Sequence, residues 1–199
     1  MLGWNAPSRT ALVVVDMVPF FVEANEYTYG IVPNIAVLAD TLRAQTGTVA
    51  WILPGVTEPT PVDEEFFGPE QAKVFAQSGG TGPLPQRVWQ EFDIHDQDLI
   101  VEKTATSAFF PGFSPLPELL QARGIDTVII TGTVTNVCSE ASARDAATLG
   151  YRVIFVADAN SARRDEDHNS TLYTIYRTYG DVRTIDDVIE LIGAGISPA

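Results

Sequence analysis

Three side chains suited to nucleophilic chemistry follow three separate apolar runs of the sequence. Asp16 ends the run Ala11–Val15, Lys103 comes just after Leu99–Val101, and Cys138 follows Thr127–Ile130 by way of Gly132-Thr133-Val134-Thr135. Cys138 is the sole cysteine. A thiol attacks as its thiolate, and an unperturbed one has a pKa of about 8.5. At the start of a helix, free N–H groups and the macrodipole favour that anion. A nearby lysine lowers the pKa further, and an aspartate accepts the proton. The tight turn over Gly132–Thr135 is suited to aiming backbone N–H groups at a developing oxyanion. Each residue also has a plainer role open to it. Cys138 alone reads as a small buried hydrophobe, Asp16 as a cap or turn former, and Lys103 as a solvated or ion-paired cation. Their coincidence at three run ends favours catalysis.

The trio meets only if these runs are neighbouring strands with their carboxyl ends on one edge. The runs Ala11–Val15, Val49–Leu53, Leu99–Val101, Thr127–Ile130 and Val153–Val156 are apolar on both faces and rich in β-branched residues. That pattern predicts parallel strands covered by helices on both sides. Helical patterns lie between most of them. Asn34–Gln45 places Ile35, Leu38, Ala39 and Leu42 on one face. Leu116–Arg123, Val137–Leu149 and Glu166–Tyr179 each end at a glycine, a C-terminal stop signal. A last helix near Asp186–Ile192 follows Thr184, with Asp187 three residues on as in a capping box. The alternation predicts an α/β fold, a three-layer α/β/α sandwich with a mostly parallel, Rossmann-like sheet. In such sheets ligands bind outside the carboxyl ends of the strands.

The chain of 199 residues reads as one domain over 1–199, able to bury a core without disulfides or metal. Its 45% hydrophobic and 19% charged content excludes a disordered chain, a coiled coil and a disulfide scaffold. A net charge of −14 repels phosphate backbones and anionic lipid heads, so nucleic-acid and membrane partners are set aside. One lone thiol, no signal-peptide pattern and no long apolar stretch make the cytoplasm the expected compartment. One stretch breaks the strand–helix rhythm. Residues 54–85 hold six prolines and five glycines, too long for a plain connection. Phe66, Phe67 and Phe75 suggest a packed excursion with a short helix, serving as a lid or as a subunit interface.

Taken together, several segments resemble the isochorismatase-like cysteine hydrolases. They are Ala-Leu-Val-Val-Val-Asp-Met at 11–17, Val-Glu-Lys-Thr at 101–104 with Ser-Ala-Phe at 107–109, and Gly-Thr-Val-Thr-Asn-Val-Cys at 132–138. Ser-Ala-Arg-Asp-Ala-Ala at 142–147, Gly-Tyr-Arg-Val at 150–153 and Ala-Asp-Ala at 157–159 complete the set. The resemblance implies a triad of Asp16 as base and acid, Lys103 as electrostatic partner and Cys138 as nucleophile. It implies a cis peptide between Thr133 and Val134, and an oxyanion hole from the N–H groups of Val134 and Cys138. The implied reaction is hydrolysis of a C–N bond through a thioester.

Departures from the family pattern narrow this reading. Leu53-Pro54-Gly55-Val56 lacks the metal ligands of the nicotinamidase branch, and the only histidines, His95 and His168, lie far apart. No metal and no cofactor are expected. His168, beside Asp165, Glu166 and Asp167, reads as part of a helix terminus. Retention of Cys138 argues against vinyl-ether cleavage and for amide, ureido or N-carbamoyl substrates of the metal-free amidase branch. Phe20, Trp51 and Phe109 are expected to wall the pocket, and Arg87, Arg163 or Arg164 to meet a substrate carboxylate. The resemblance also implies a homodimer or homotetramer. Two rivals remain at this stage. One is a non-catalytic binding or scaffold module; the other is a nucleotide-dependent oxidoreductase, disfavoured because no Gly-x-Gly-x-x-Gly follows the first strand.

Overall fold

The computed structural model describes residues 6–194. Six strands form one sheet in the order β3-β2-β1-β4-β5-β6, every pair parallel. The strands are β1 (Thr10–Val15), β2 (Thr48–Pro54), β3 (Leu99–Lys103), β4 (Thr127–Thr133), β5 (Arg152–Ser161) and β6 (Asp181–Arg183). Alternate residues of a strand face opposite sides of a sheet. Leu12 and Val14 of β1 therefore join one apolar layer, and Ala11, Val13 and Val15 the other. The first layer is closed by Ile35, Leu38, Ala39 and Leu42 of α3 (Val32–Ala44) and by Val188 and Ile192 of α10 (Ile185–Ala194). The second is closed by α7 (Leu116–Ala122), α8 (Glu140–Thr148) and α9 (Asp165–Thr178) through Leu116, Leu120, Ala143, Ala146 and Ile175. This is the three-layer sandwich expected from the run pattern. The Thr184/Asp187 capping pair forms in both directions at 3.3 Å.

Strand β6 has no counterpart among the predicted runs. It is three half-buried residues at the sheet edge, too short and too polar to register as an apolar run. Strand β5 runs past its predicted end because it bulges. Ile130 pairs with Phe155, but Gly132 pairs with Asn160, so Val156–Ala159 carries extra residues. The Asn160 amide donates to the carbonyls of Ile130 and Val156 at 2.9 and 2.8 Å and replaces interrupted ladder bonds. The predicted Val137–Leu149 helix begins instead with a wide turn over Thr135–Ser139, followed by α8.

The excursion after β2 differs from its expectation. It contains three helices: α4 (Pro61–Phe67), α5 (Pro69–Ala76) and α6 (Leu84–Arg87). A Thr60/Asp63 capping box and prolines in the first turns start them, and Gly68 at φ 82° joins the first two. Phe66, Phe67 and Phe75 are not packed into the body. Phe66 is 80% exposed, and the three rings meet each other edge-on at 4.7 and 5.1 Å. Two further short helices, α1 (Pro19–Val22) and α2 (Glu26–Gly30), follow β1. No helix among the described residues is long and apolar enough to cross a membrane.

Candidate active site

Strand β1 has neighbours β2 and β4 on its two sides, and the chain reaches them in opposite directions from it. Carboxyl ends at such a switch point splay apart and leave a crevice. Asp16 stands there, directly after β1, with a left-handed φ of 54°. That conformation is uncommon outside glycine and costs about 1–3 kcal/mol where the surroundings hold it. Its N–H still bonds the Ile52 carbonyl at 2.9 Å, and Val18 N–H closes onto its own carbonyl at 2.9 Å. The adjoining strand makes room for this turn with Gly132, at φ 114°. A Cβ at Gly132 would lie 2.1 Å from the Val15 carbonyl oxygen.

Lys103 is the last residue of β3, so its side chain must cross the end of β2 to reach β1. Pro54-Gly55 leaves the way low: Gly55 N–H bonds the Lys103 carbonyl at 2.7 Å, and a Cβ there would strike Thr104 Cγ2 at 2.8 Å. Lys103 Nζ lies 2.9 Å from Asp16 Oδ2. The same ammonium donates to the Ala105 carbonyl at 3.3 Å and to Cys138 Sγ at 3.5 Å. Asp16 and Lys103 are buried, at 1% and 5% exposure, whereas Cys138 is partly open to solvent. The fold thus brings the three sequence-identified side chains together.

The resting electrostatics differ from the expectation of a thiol lowered by its lysine. Burial, and then the Asp16 carboxylate, push the Cys138 thiol up to about 12, with Lys103 opposing them. Burial also raises Asp16 above the ordinary carboxylate value, against the attraction of Lys103 and the Cys138 hydrogen bond. Burial works against the Lys103 ammonium, yet Asp16 and then Cys138 outweigh it and hold its pKa above the usual lysine value. The resting site therefore sets an Asp16–Lys103 salt bridge beside a neutral thiol.

The expected cis peptide and contacts from residues without an assigned role, Thr28 and Ser161 among them, hold this arrangement. Cys138 rides on the wide turn Thr135–Ser139, entered through a cis peptide between Thr133 and Val134. Thr133 Oγ1 accepts from Ser161 Oγ at 3.2 Å, and that hydroxyl meets Thr28 Oγ1 at 2.8 Å. Ser142 Oγ donates to the Cys138 carbonyl at 2.7 Å and accepts from Ala108 N–H at 2.9 Å. It thereby joins the loop after Lys103 to the start of α8. The helical spacing of four between Cys138 and Ser142 was the available signal, because a serine hydroxyl in a helix reaches the carbonyl one turn back.

The pocket residues fare differently. Phe20 is partly buried two residues beyond Val18, edge-on to Phe21 at 4.9 Å. Trp51 and Phe109 are core side chains instead. Trp51 sits midway along β2 and donates to Asp98 Oδ2 at 2.9 Å, at the amino end of β3. Phe109 is fully buried against Tyr151, with ring centroids 5.5 Å apart. Among the arginines, Arg87 is committed to the Gly79 and Pro54 carbonyls and to Glu102, which tie the excursion to β2 and β3. Arg164 pairs with Asp167 at 2.9 Å, and Arg163 is exposed. His95 meets Asp93 at 3.1 Å, and His168 meets Thr135. Among the described residues, no group of three or more His, Cys, Asp or Glu is arranged to hold a metal ion.

Known proteins are similar to this chain in sequence and in fold. The isochorismatase domain model matches residues 10–187. The ureidoacrylate amidohydrolase RutB of Rhizobium rhizogenes is 29% identical over 204 residues, covering 91% of this chain and 82% of its own. The crystal structure of a cysteine hydrolase from Pseudomonas syringae pv. phaseolicola superposes with a TM-score of 0.85 at 29% identity, covering 98% of both chains. N-carbamoylsarcosine amidase from Thermoplasma acidophilum superposes with a TM-score of 0.74 at 28% identity, over 89% of this chain and 97% of its own. With the matched domain spanning nearly all of the described residues, the chain belongs to the isochorismatase family of hydrolases.

Proposed function

We propose that this hydrolase cleaves the C–N bond of a small amide, ureido or N-carbamoyl compound through a Cys138 thioester, without a metal. The carrying observation is the Lys103 ammonium held between the Asp16 carboxylate and the Cys138 thiol, at 2.9 and 3.5 Å. A thiol held near 12 does not ionise ahead of attack. The proton instead passes to Asp16 as the C–S bond forms, and Lys103 stabilises the charge left in the site. The carbonyl oxygen becomes an oxyanion, received by the N–H groups of Val134 and Cys138. The tetrahedral intermediate collapses, the C–N bond breaks, and Asp16 returns its proton to the leaving nitrogen. Water, deprotonated by Asp16, then attacks the thioester; the acid leaves and the thiol recovers its proton. Phe20 walls the substrate side.

Two relatives that cover most of the chain carry the names ureidoacrylate amidohydrolase and N-carbamoylsarcosine amidase, which supports this substrate class. A cytoplasmic homodimer or homotetramer belongs to the same reading. The test is ammonia release from a panel of primary amides, ureido acids and carbamoyl amines, with EDTA throughout. Wild type is expected to turn over at least one class, and Cys138→Ala to lose at least about 1,000-fold, as for removal of other catalytic nucleophiles. Turnover retained by Cys138→Ala would sink the nucleophile assignment.

A further inference from the structure

His168 stands in the first turn of α9 behind Asp165, Glu166 and Asp167, where charge alone would make it a helix-terminus ornament. Its ring does not behave as one. It is half-buried, with Nδ1 2.9 Å from Thr135 Oγ1. The ring also faces the carbonyl of Ala157, in the bulge of β5, which opposes the fall in its pKa. A carbonyl only accepts, so the proton of the neutral ring lies toward Ala157. The other nitrogen, Nδ1, is then an acceptor, and the Thr135 hydroxyl donates to it. One tautomer satisfies both contacts.

Thr135 is fully buried and opens the turn that carries Cys138. It lies between Val134 and Cys138, the two residues assigned to the oxyanion hole. Thr133, on the other side of Val134, is anchored by Ser161 and Thr28. The turn is therefore pinned by hydroxyl contacts at Thr135 and at Thr133 just before it, and of these anchors only His168 titrates near neutral pH. We infer that His168 is a positioning residue for the nucleophile turn, acting through the Thr135 hydroxyl and only while its ring is neutral. This rests on the reading of Cys138 as nucleophile.

Protonation would make both ring nitrogens donors. Thr135 would then accept from Nδ1 and turn its own hydrogen away inside a closed environment, so the bond would reverse and leave a buried hydroxyl hydrogen without its partner. Burial pushes His168 below the ordinary histidine value, while Asp165 and the Ala157 carbonyl oppose that shift. Most charged groups of the packed elements are otherwise engaged: on β5, Asp158 accepts from Ile185 N–H and Arg152 meets Asp126, and on α9 Arg177 lies over Tyr173. Glu140 of α8 bonds Arg144 and Thr171, Asp181 and Arg183 of β6 pair with each other, and Asp167 of α9 pairs with Arg164. In the turn itself, Cys138 faces Lys103 and Asp16. The ring is thus neutral at pH 7, and the anchor reverses and weakens on acidification below the usual histidine range.

Two measurements test this. The chain has two histidines, so long-range 1H–15N spectra of labelled protein separate them readily. His168 should be the neutral Nε2–H tautomer at pH 7 and titrate below the ordinary histidine range; an Nδ1–H tautomer or a charged ring at pH 7 would overturn the inference. The second is the rate of Cys138 alkylation by iodoacetamide. His168→Asn keeps an acceptor near Nδ1 and should stay within about two-fold of wild type at pH 7.5, whereas His168→Phe should slow the reaction about ten-fold, a modest part of the cost of misplacing reacting groups. The ratio of wild type to His168→Asn cancels the titration of the thiol and should fall between pH 7.5 and 5.5. A flat ratio, or a Phe variant as fast as wild type with an unchanged melting temperature, would overturn it. The ratio decides alone if the Phe variant does not fold. Failure of the nucleophile reading shows separately, as turnover surviving Cys138→Ala.

Discussion

At the scale of single residues, the site is defined by one cation that serves two partners. Lys103 neutralises a carboxylate that is 1% exposed, and its removal leaves that charge buried and unpaired. Breaking such a pair typically costs about 3–5 kcal/mol. Lys103→Met is therefore expected to lower the melting temperature by roughly 6–20 °C for a chain of this size, and to abolish turnover. The loss should depend on pH with a definite sign. Burial already raises the folded-state pKa of Asp16 above its unfolded value of 3.8. Without Lys103 it rises further, so the folded variant binds a proton that the unfolded chain has released, and folding is favoured as pH falls. The gap in melting temperature between wild type and Lys103→Met should narrow from pH 8 to pH 5. A gap that widens on acidification would contradict the ion pair as the source of the loss.

At the scale of elements, the chemistry depends on three strand ends being held in register by contacts outside the triad. Ser142 is the clearest case, a buried hydroxyl that donates to the Cys138 carbonyl and accepts from Ala108 N–H. Ser142→Ala leaves an N–H and a carbonyl short of a partner in a closed interior, at about 1–3 kcal/mol. The expected outcome is a melting temperature lower by about 2–12 °C, with faster hydrogen exchange at Ala108 and a lower kcat at nearly constant KM. Protection at Ala108 equal to wild type would show that the loop after β3 is held by something else. The segments that carry the resemblance gain physical content here. Ala157-Asp158-Ala159 is the bulge of β5, and Asp158 accepts from Asn34 through its carbonyl and from Ile185 N–H through its side chain.

At the scale of the whole molecule, an acidic chain of net charge −14 exposes Phe66, Phe67 and Phe75 on the hairpin of α4 and α5. Exposed aromatic clusters of this kind commonly mark contact surfaces, in keeping with the proposed homodimer or homotetramer. Light scattering should give two or four times the chain mass; a monomer at micromolar concentration would reject that expectation. The layered fold was legible in the sequence because continuous β-branched runs and one-faced helices report burial directly. The meeting of Asp16, Lys103 and Cys138 was legible as well, because each abuts a run whose carboxyl end must lie on one edge. Short polar β6, the helices inside residues 54–85 and the exposure of their phenylalanines were not, because local pattern does not say which apolar side chains find a partner. Trp51 and Phe109 went to the core for the same reason: an aromatic near a strand end reads alike whether it faces substrate or a helix. The protonation states were decided by tertiary structure alone. Residue type suggested a thiol lowered by lysine, but depth of burial and the nearness of Asp16 hold it above the ordinary thiol value. Both are distances between residues far apart in the chain, and only the folded sheet determines them.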